Sequence, residues 1–240
     1  MRIPKRLKKE NDKLEWRKVV GLFVLLTLIT SIIYVIVMMI ISPSADSAND
    51  DFVKLKSDYI LTLSQCVLGI IVMLVPSVIE KRFSLHLPNY MYILYFIFLY
   101  CAIYLGEVRS FYYHFSQWDT VLHALSAAML GAFGFIIIEA FNKTSLYGFV
   151  LSSIFVSLFA FCFALSIGAV WEIYEYTMDG ILGLNMQKFA LENGTNLIGR
   201  QALDNTMKDI ITDAISAFII SAIGYISYKN KEKQIEDKRK

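Results

Sequence analysis

An all-α, polytopic helical transmembrane bundle with six spans is the fold class this sequence predicts, and three observations predict it. The 240 residues are 56% hydrophobic and only 18% charged, with a mean hydropathy of +0.52. Soluble domains average about 45–50% apolar and about 25% charged residues. The apolar residues gather into continuous runs, most near the ~20 residues a helix needs to cross a hydrocarbon core. A membrane β-barrel would instead show alternating segments of about 10 residues. Four prolines and 12 glycines are too few for a linker-rich or disordered chain. A soluble enzyme, a secreted disulfide scaffold and a nucleic-acid binder are thereby excluded as leading classes.

The elements follow in order. Residues 1–18 form a basic tail, and the apolar run Val19–Ile41 is the first span. Its length exceeds the ~7–15 residues of a signal-peptide core, so a retained helix is expected rather than cleavage near Ala45. The second span is Tyr59–Ile79, with Pro76 near its end, and the third is Tyr90–Leu105. The fourth is Thr120–Phe141, the fifth Leu146–Tyr174, and the sixth Thr206–Tyr228, whose first third is polar. Residues 19–228 thus make the transmembrane domain, and 229–240 a second basic tail. The segment between spans five and six contains Gly180, Gly183, Gly194 and Gly199 around a mildly amphipathic piece, Leu184–Glu192, expected as an interfacial or re-entrant element. No internal repeat points to an inverted-repeat transporter.

Orientation follows from the Lys/Arg distribution. The two tails and the 2–3 and 4–5 connections hold 17 of the 23 basic residues against eight acids. The other face holds six basic residues (Lys54, Lys56, Arg109, Lys188, Arg200, Lys208) against 13 acids. Both termini are expected in the cytoplasm of a bacterial cell with the protein in its inner membrane. The net charge of +2 is therefore a cancellation between two faces. The basic tails would meet anionic inner-leaflet lipids. The lipid bilayer is the expected partner, and nucleic acid is not.

Ionisable residues at span ends are costly and mark function by default. Here Glu107 and Arg109 follow span three, and Asp119 and His123 open span four. Trp171, Glu172 and Glu175 close span five with Asp179 a turn further, and Asp204, Asp209 and Asp213 lead into span six. On this topology all lie at the outer ends of their helices. Asp119 and His123 are i, i+4 and share a face, as do Asn205, Asp209 and Asp213. An unpaired carboxylate at the depth of Asp213 needs a cation, a proton or a hydrogen-bond network.

Three chemistries fit this set. A divalent ion such as Mg²⁺, Mn²⁺ or Zn²⁺ would take His123, Glu172, Glu175, Asp209 and Asp213 as ligands. Asp119, His123, Glu172 and Glu175 would then carry catalysis, Asp119 orienting His123, on an envelope lipid or other phosphate-bearing substrate. The same groups would alternatively relay protons or ions in a transporter, although Glu80 and Glu139 at the inner ends leave no buried path between. A non-catalytic polar network tying helix ends together, with Arg109, Arg200 or Lys208 as counter-ions, is the third reading.

Other features carry less. Cys66, Cys101 and Cys162 are odd in number and lie in apolar runs, which fits packing rather than a disulfide framework or a zinc site. His86 and His114 fall in loops, and Ser126 reads as a small helix-packing residue. Phe111, Tyr112, Tyr113, Phe115 and Trp118 read as an aromatic belt, or alternatively as a wall facing a lipid substrate. Asn193-Gly194-Thr195 has the form of a glycosylation acceptor.

Trp118-Asp119-x-x-x-His123, Trp171-Glu172-x-x-Glu175-Tyr176-x-x-Asp179 and Thr206-Met207-Lys208-Asp209-x-x-x-Asp213 together resemble the YjdF-like bacterial inner-membrane proteins across residues 60–228. That resemblance implies a polytopic helical protein and no particular chemistry. More distantly, the chain is similar to VanZ-like membrane proteins, some linked to glycopeptide-antibiotic resistance. Those tend to have Glu-x-x-Gln where this chain has Glu172-x-x-Glu175, and Asp-x-x-x-Asn-x-x-Gly where it has Asp209-x-x-x-Asp213-x-x-Ser216. The extra acids make this set more cation-demanding.

Overall fold

In the computed structural model, residues 5–42, 56–144, 151–191 and 195–237 are described. Outside them lie the connection containing Ala45 and Lys54, the start of the expected fifth span at Leu146, and Glu192, Asn193 and Gly194. The described chain is all-helical, and six of its segments are long and apolar enough to cross a membrane. They are Trp16–Ile41, Asp58–Phe83, Asn89–Val108, Trp118–Asn142, Ser153–Leu182 and Arg200–Asn230. Many large apolar side chains on them are exposed, Ile40, Ile71, Ile154 and Phe218 among them. This is the pattern of helices solvated by lipid rather than by water.

The chain forms two units, Met1–Trp118 and Asp119–Lys240. In the first, α1 (Lys5–Ile41) packs on α2 (Lys56–Val72) and α4 (Asn89–Leu99). Gly21 admits the Phe96 ring, which would sit 2.9 Å from a Cβ at that position. The second span is two helices, because α2 stops and α3 (Val75–Phe83) begins around Pro76. Proline has no N–H to give the carbonyl four residues back, at Val72. The Tyr95 hydroxyl on α4 donates to that carbonyl instead, at 2.7 Å. Further along α3, Glu80 accepts from the Tyr92 hydroxyl at 2.6 Å and from the Leu87 N–H at 3.1 Å. The Arg17 guanidinium lies 3.8 Å over the Tyr92 ring, so α1, α3 and α4 are tied at one point.

The third span does not stop at Leu105. It runs on as a π-helical stretch, Tyr100–Val108, closed by the Arg109 N–H bonding the Tyr104 carbonyl at 2.9 Å. The short α5 (Phe111–His114) folds back so that the Tyr112 ring fills the space left by Gly106. Phe111 packs against Phe115 and edge-on to Trp118, whose indole N–H reaches the Cys101 carbonyl at 3.3 Å.

The second unit is three long helices, α6 (Trp118–Thr144), α7 (Ser153–Leu182) and α8 (Arg200–Asp237). Ser152 caps α7 by accepting from the Phe155 N–H, and Gly183 ends it in a left-handed conformation at φ 66°. Each helix buries one narrow stripe. On α6 it is His123, Ala127, Gly131, Gly134 and Ile138. On α7 it is Val156, Ala160, Ala164, Gly168, Glu172, Glu175 and Asp179. On α8 it is Asp209, Asp213, Ala217 and Ser221. Small residues in the middle of the stripes let the backbones approach. A Cβ on Gly134 would stand 2.9 Å from the Ala160 Cα, and one on Gly131 would stand 3.2 Å from Ile220.

Candidate functional site

The three stripes are small and apolar in the middle and polar at one end. Chain direction alternates from α6 to α7 to α8, so the start of α6, the end of α7 and the start of α8 meet there. The polar ends bring His123, Glu172 and Asp209 together. One ligand atom from each lies within 4.8 Å of the others, and all three residues are buried. Asp209 is 1% exposed. Glu172 Oε1 and Asp209 Oδ1 have no hydrogen-bond donor. A buried acceptor without a donor costs about 1–3 kcal/mol, and more when charged. This end of the unit therefore carries an electrostatic deficit that a cation would offset.

His123 divides its two nitrogens between different partners. Nδ1 faces Asp213, 3.3 Å from each carboxylate oxygen. Nε2 lies on the other side, 3.9 Å from Asp119 Oδ1 and 3.9 Å from Glu172 Oε1. Asp213 is 1% exposed and lies one turn beyond Asp209 on the same stripe. The Ser126 hydroxyl donates to the His123 backbone carbonyl at 2.9 Å.

The loop after α7 forms the rim of the site. Leu184–Leu191 is irregular rather than helical, and the reason is local. Asp179 accepts from the Met186 and Gln187 N–H groups at 2.7 and 3.0 Å. The Asn185 side chain bonds both the N–H and the carbonyl of Ala190. These side-chain bonds outcompete a helical ladder. The Gln187 amide is thereby set to donate to Thr206 Oγ1 at 2.9 Å and toward Glu172 Oε2 at 3.4 Å. Lys188, at a positive φ of 50°, reaches Asp119 with its ammonium at 2.6 Å. Asn205 also donates to Asp119, at 3.4 Å.

Of the residues singled out in the sequence, Asp119, His123, Glu172, Asp209 and Asp213 share this one end of the second unit. Glu175 is buried beside them, but one of its oxygens is taken by the Trp171 indole N–H at 2.9 Å. Asp179 is committed to the loop backbone. Glu107 and Arg109 belong to the first unit, at the end of the π-helical stretch. Lys208 pairs with Asp204 at 3.0 Å on an exposed face. Lys188, named only as a basic residue of the outer face, is a cation at Asp119. Gln187, Lys188 and Thr206 were not among the expected site residues. The one signal for them was the position of Asp179, an acid at a helix end ahead of a glycine, which is suited to gathering loop N–H groups.

The chain belongs to the family described as predicted membrane protein (DUF2238), whose model matches residues 24–230. It is similar to an uncharacterized protein of Thermotoga maritima, 29% identical over 122 residues, which is 50% of this chain. The chain spans about half the length of that relative, 54% of it. No solved structure matches the chain.

Proposed function

We propose that this membrane protein holds a divalent cation at His123, Glu172 and Asp209 and uses it as a metal-assisted enzyme or binding site for a phosphate-bearing envelope lipid. One observation carries the reading: three buried ligand atoms from three helices within 4.8 Å of one another, two of the residues bearing carboxylate oxygens without a donor. One imidazole nitrogen with two carboxylates suits Mn²⁺ or Zn²⁺, and Mg²⁺ less well because it favours oxygen and water ligands. A bound cation there would polarise a phosphoryl oxygen or activate a water. The Lys188 ammonium and the Gln187 amide beside it are donors suited to an anionic headgroup. Glu175 serves in this reading as a packed neighbour held by Trp171, and Asp119 as the group that receives Lys188.

The Lys/Arg asymmetry supports cytoplasmic tails and a site at the outer face of a bacterial inner membrane. The YjdF-like motif pattern and the Thermotoga relative support a bacterial setting.

The test is metal analysis of the full chain purified in detergent, equilibrated with Mn²⁺ or Zn²⁺ and freed of excess. The wild type is expected to keep one ion per chain. His123→Gln and Asp209→Asn should fall to background, while Lys208→Met should match the wild type. A wild type that retains no stoichiometric ion overturns the proposal.

A further inference from the structure

We infer that Asp213 and Gly168 are positioning residues of this site: Asp213 fixes the ring of His123 so that Nε2 faces the cation, and Gly168 makes the space in which the Asp213 carboxylate sits. The inference rests on the metal reading above and adds to it the device that orients its nitrogen ligand. The geometry separates the two faces of the imidazole. Both Asp213 oxygens lie 3.3 Å from Nδ1, whereas Glu172 Oε1, an oxygen without a donor, lies 3.9 Å from Nε2. A ring whose Nδ1–H is given to a carboxylate carries its lone pair on Nε2. Asp213 is therefore not placed as a ligand, although its residue type and depth in the helix invite that role.

Gly168 is the less expected half of the device. It lies on the buried stripe of α7, one turn before Glu172. A Cβ at this position would overlap Asp213 Oδ2 and stand 3.0 Å from Asp213 Cγ. The α7 backbone thus passes directly against this carboxylate, and a side chain here would push it from the place where it addresses His123. Conformation gives no other reason for glycine here, because the residue is in mid-helix without a positive φ. In a helix interior alanine is ordinarily favoured over glycine by about 1 kcal/mol. Gly168→Ala should therefore help the helix and harm the site.

The experiment uses the full chain with His86→Gln and His114→Gln, which leaves His123 as its one imidazole. Nitrogen NMR of the metal-free protein, taken at a pH where the His123 ring is neutral, reads the tautomer, and a Zn²⁺ titration reads affinity. The parent should show the Nδ1–H form, with Zn²⁺ perturbing Nε2. Asp213→Asn and Gly168→Ala should each erode that tautomer and weaken Zn²⁺ about 10–100-fold with one-to-one stoichiometry kept. Asp213→Asn is isosteric and carries the test should Gly168→Ala fail to fold. Loss of Zn²⁺ in Asp213→Asn as complete as in Asp209→Asn overturns the inference, because Asp213 would then be a ligand. Unchanged tautomer and affinity in the variants overturn it too. If the parent takes up no Zn²⁺, the metal reading falls. The metal-free spectra then decide the pair separately: an Nδ1–H form lost in Asp213→Asn upholds it, and an Nε2–H form sinks it.

Discussion

Asp209→Asn should make the metal-free protein more stable and the metal-loaded protein relatively less so. Asp209 is 1% exposed, and its Oδ1 has no donor. Relieving an unsatisfied buried acceptor is worth about 1–3 kcal/mol. Its ligand oxygen lies within 4.8 Å of that of Glu172. Two carboxylate charges at that separation repel by about 3 kcal/mol at an effective dielectric near 20. Asparagine keeps the shape and removes the charge, and the nearby Lys188 ammonium offsets part of the repulsion in the wild type. A net gain of about 1–3 kcal/mol follows under chelator, or about 2–4 °C in Tm per kcal/mol for a chain of this size. With a cation at 100 times its Kd the wild type gains about 2.7 kcal/mol by mass action, and the variant gains nothing. The assay is unfolding in detergent followed by tryptophan fluorescence, with chelator and with Mn²⁺ or Zn²⁺. If Asp209→Asn is less stable than wild type under chelator, the carboxylate supports a structural network and the reasoning fails.

Two further outcomes concern the frame around the site. Tyr95→Phe strips the donor from the Val72 carbonyl and should cost about 0.6–1.7 kcal/mol. Pro76→Ala restores an N–H to that carbonyl, so the cost should shrink toward zero in the double variant; a cycle with no coupling would refute the link. Asp179→Ala frees the Met186 and Gln187 N–H groups, and amide exchange at these two positions should speed at least tenfold while the middle of α7 stays protected. Unchanged exchange would mean the loop is held by other contacts.

The six spans are legible in the sequence because lipid imposes a length and a composition on every crossing helix. The acidic ends are legible for a related reason, since ionisable groups stand out against an apolar run. The i, i+4 spacings of Asp119 with His123 and of Asp209 with Asp213 place each pair on one helix face. Such spacing identifies a face and leaves its partner open. Glu172, Glu175 and Asp179 look alike in sequence, yet one faces His123, one is taken by Trp171 and one holds a loop. Helix ends are also blurred. The polar start of α8 reads as a connection, but it is helical from Arg200 because Asn205, Thr206 and Asp209 find partners or burial among the other acids.

Taken alone, the sequence determined the fold class, the membrane setting and the acidic character of one set of helix ends. Periodicity and hydropathy are properties of a single segment, and they suffice for that. The tertiary structure decided which nitrogen of His123 meets which carboxylate, that a glycine on α7 faces Asp213, that Tyr95 answers for Pro76, and that Lys188 reaches Asp119. Each of these joins groups far apart in the chain. Such contacts depend on how closely the small-residue stripes allow neighbouring helices to approach, which no single helix encodes.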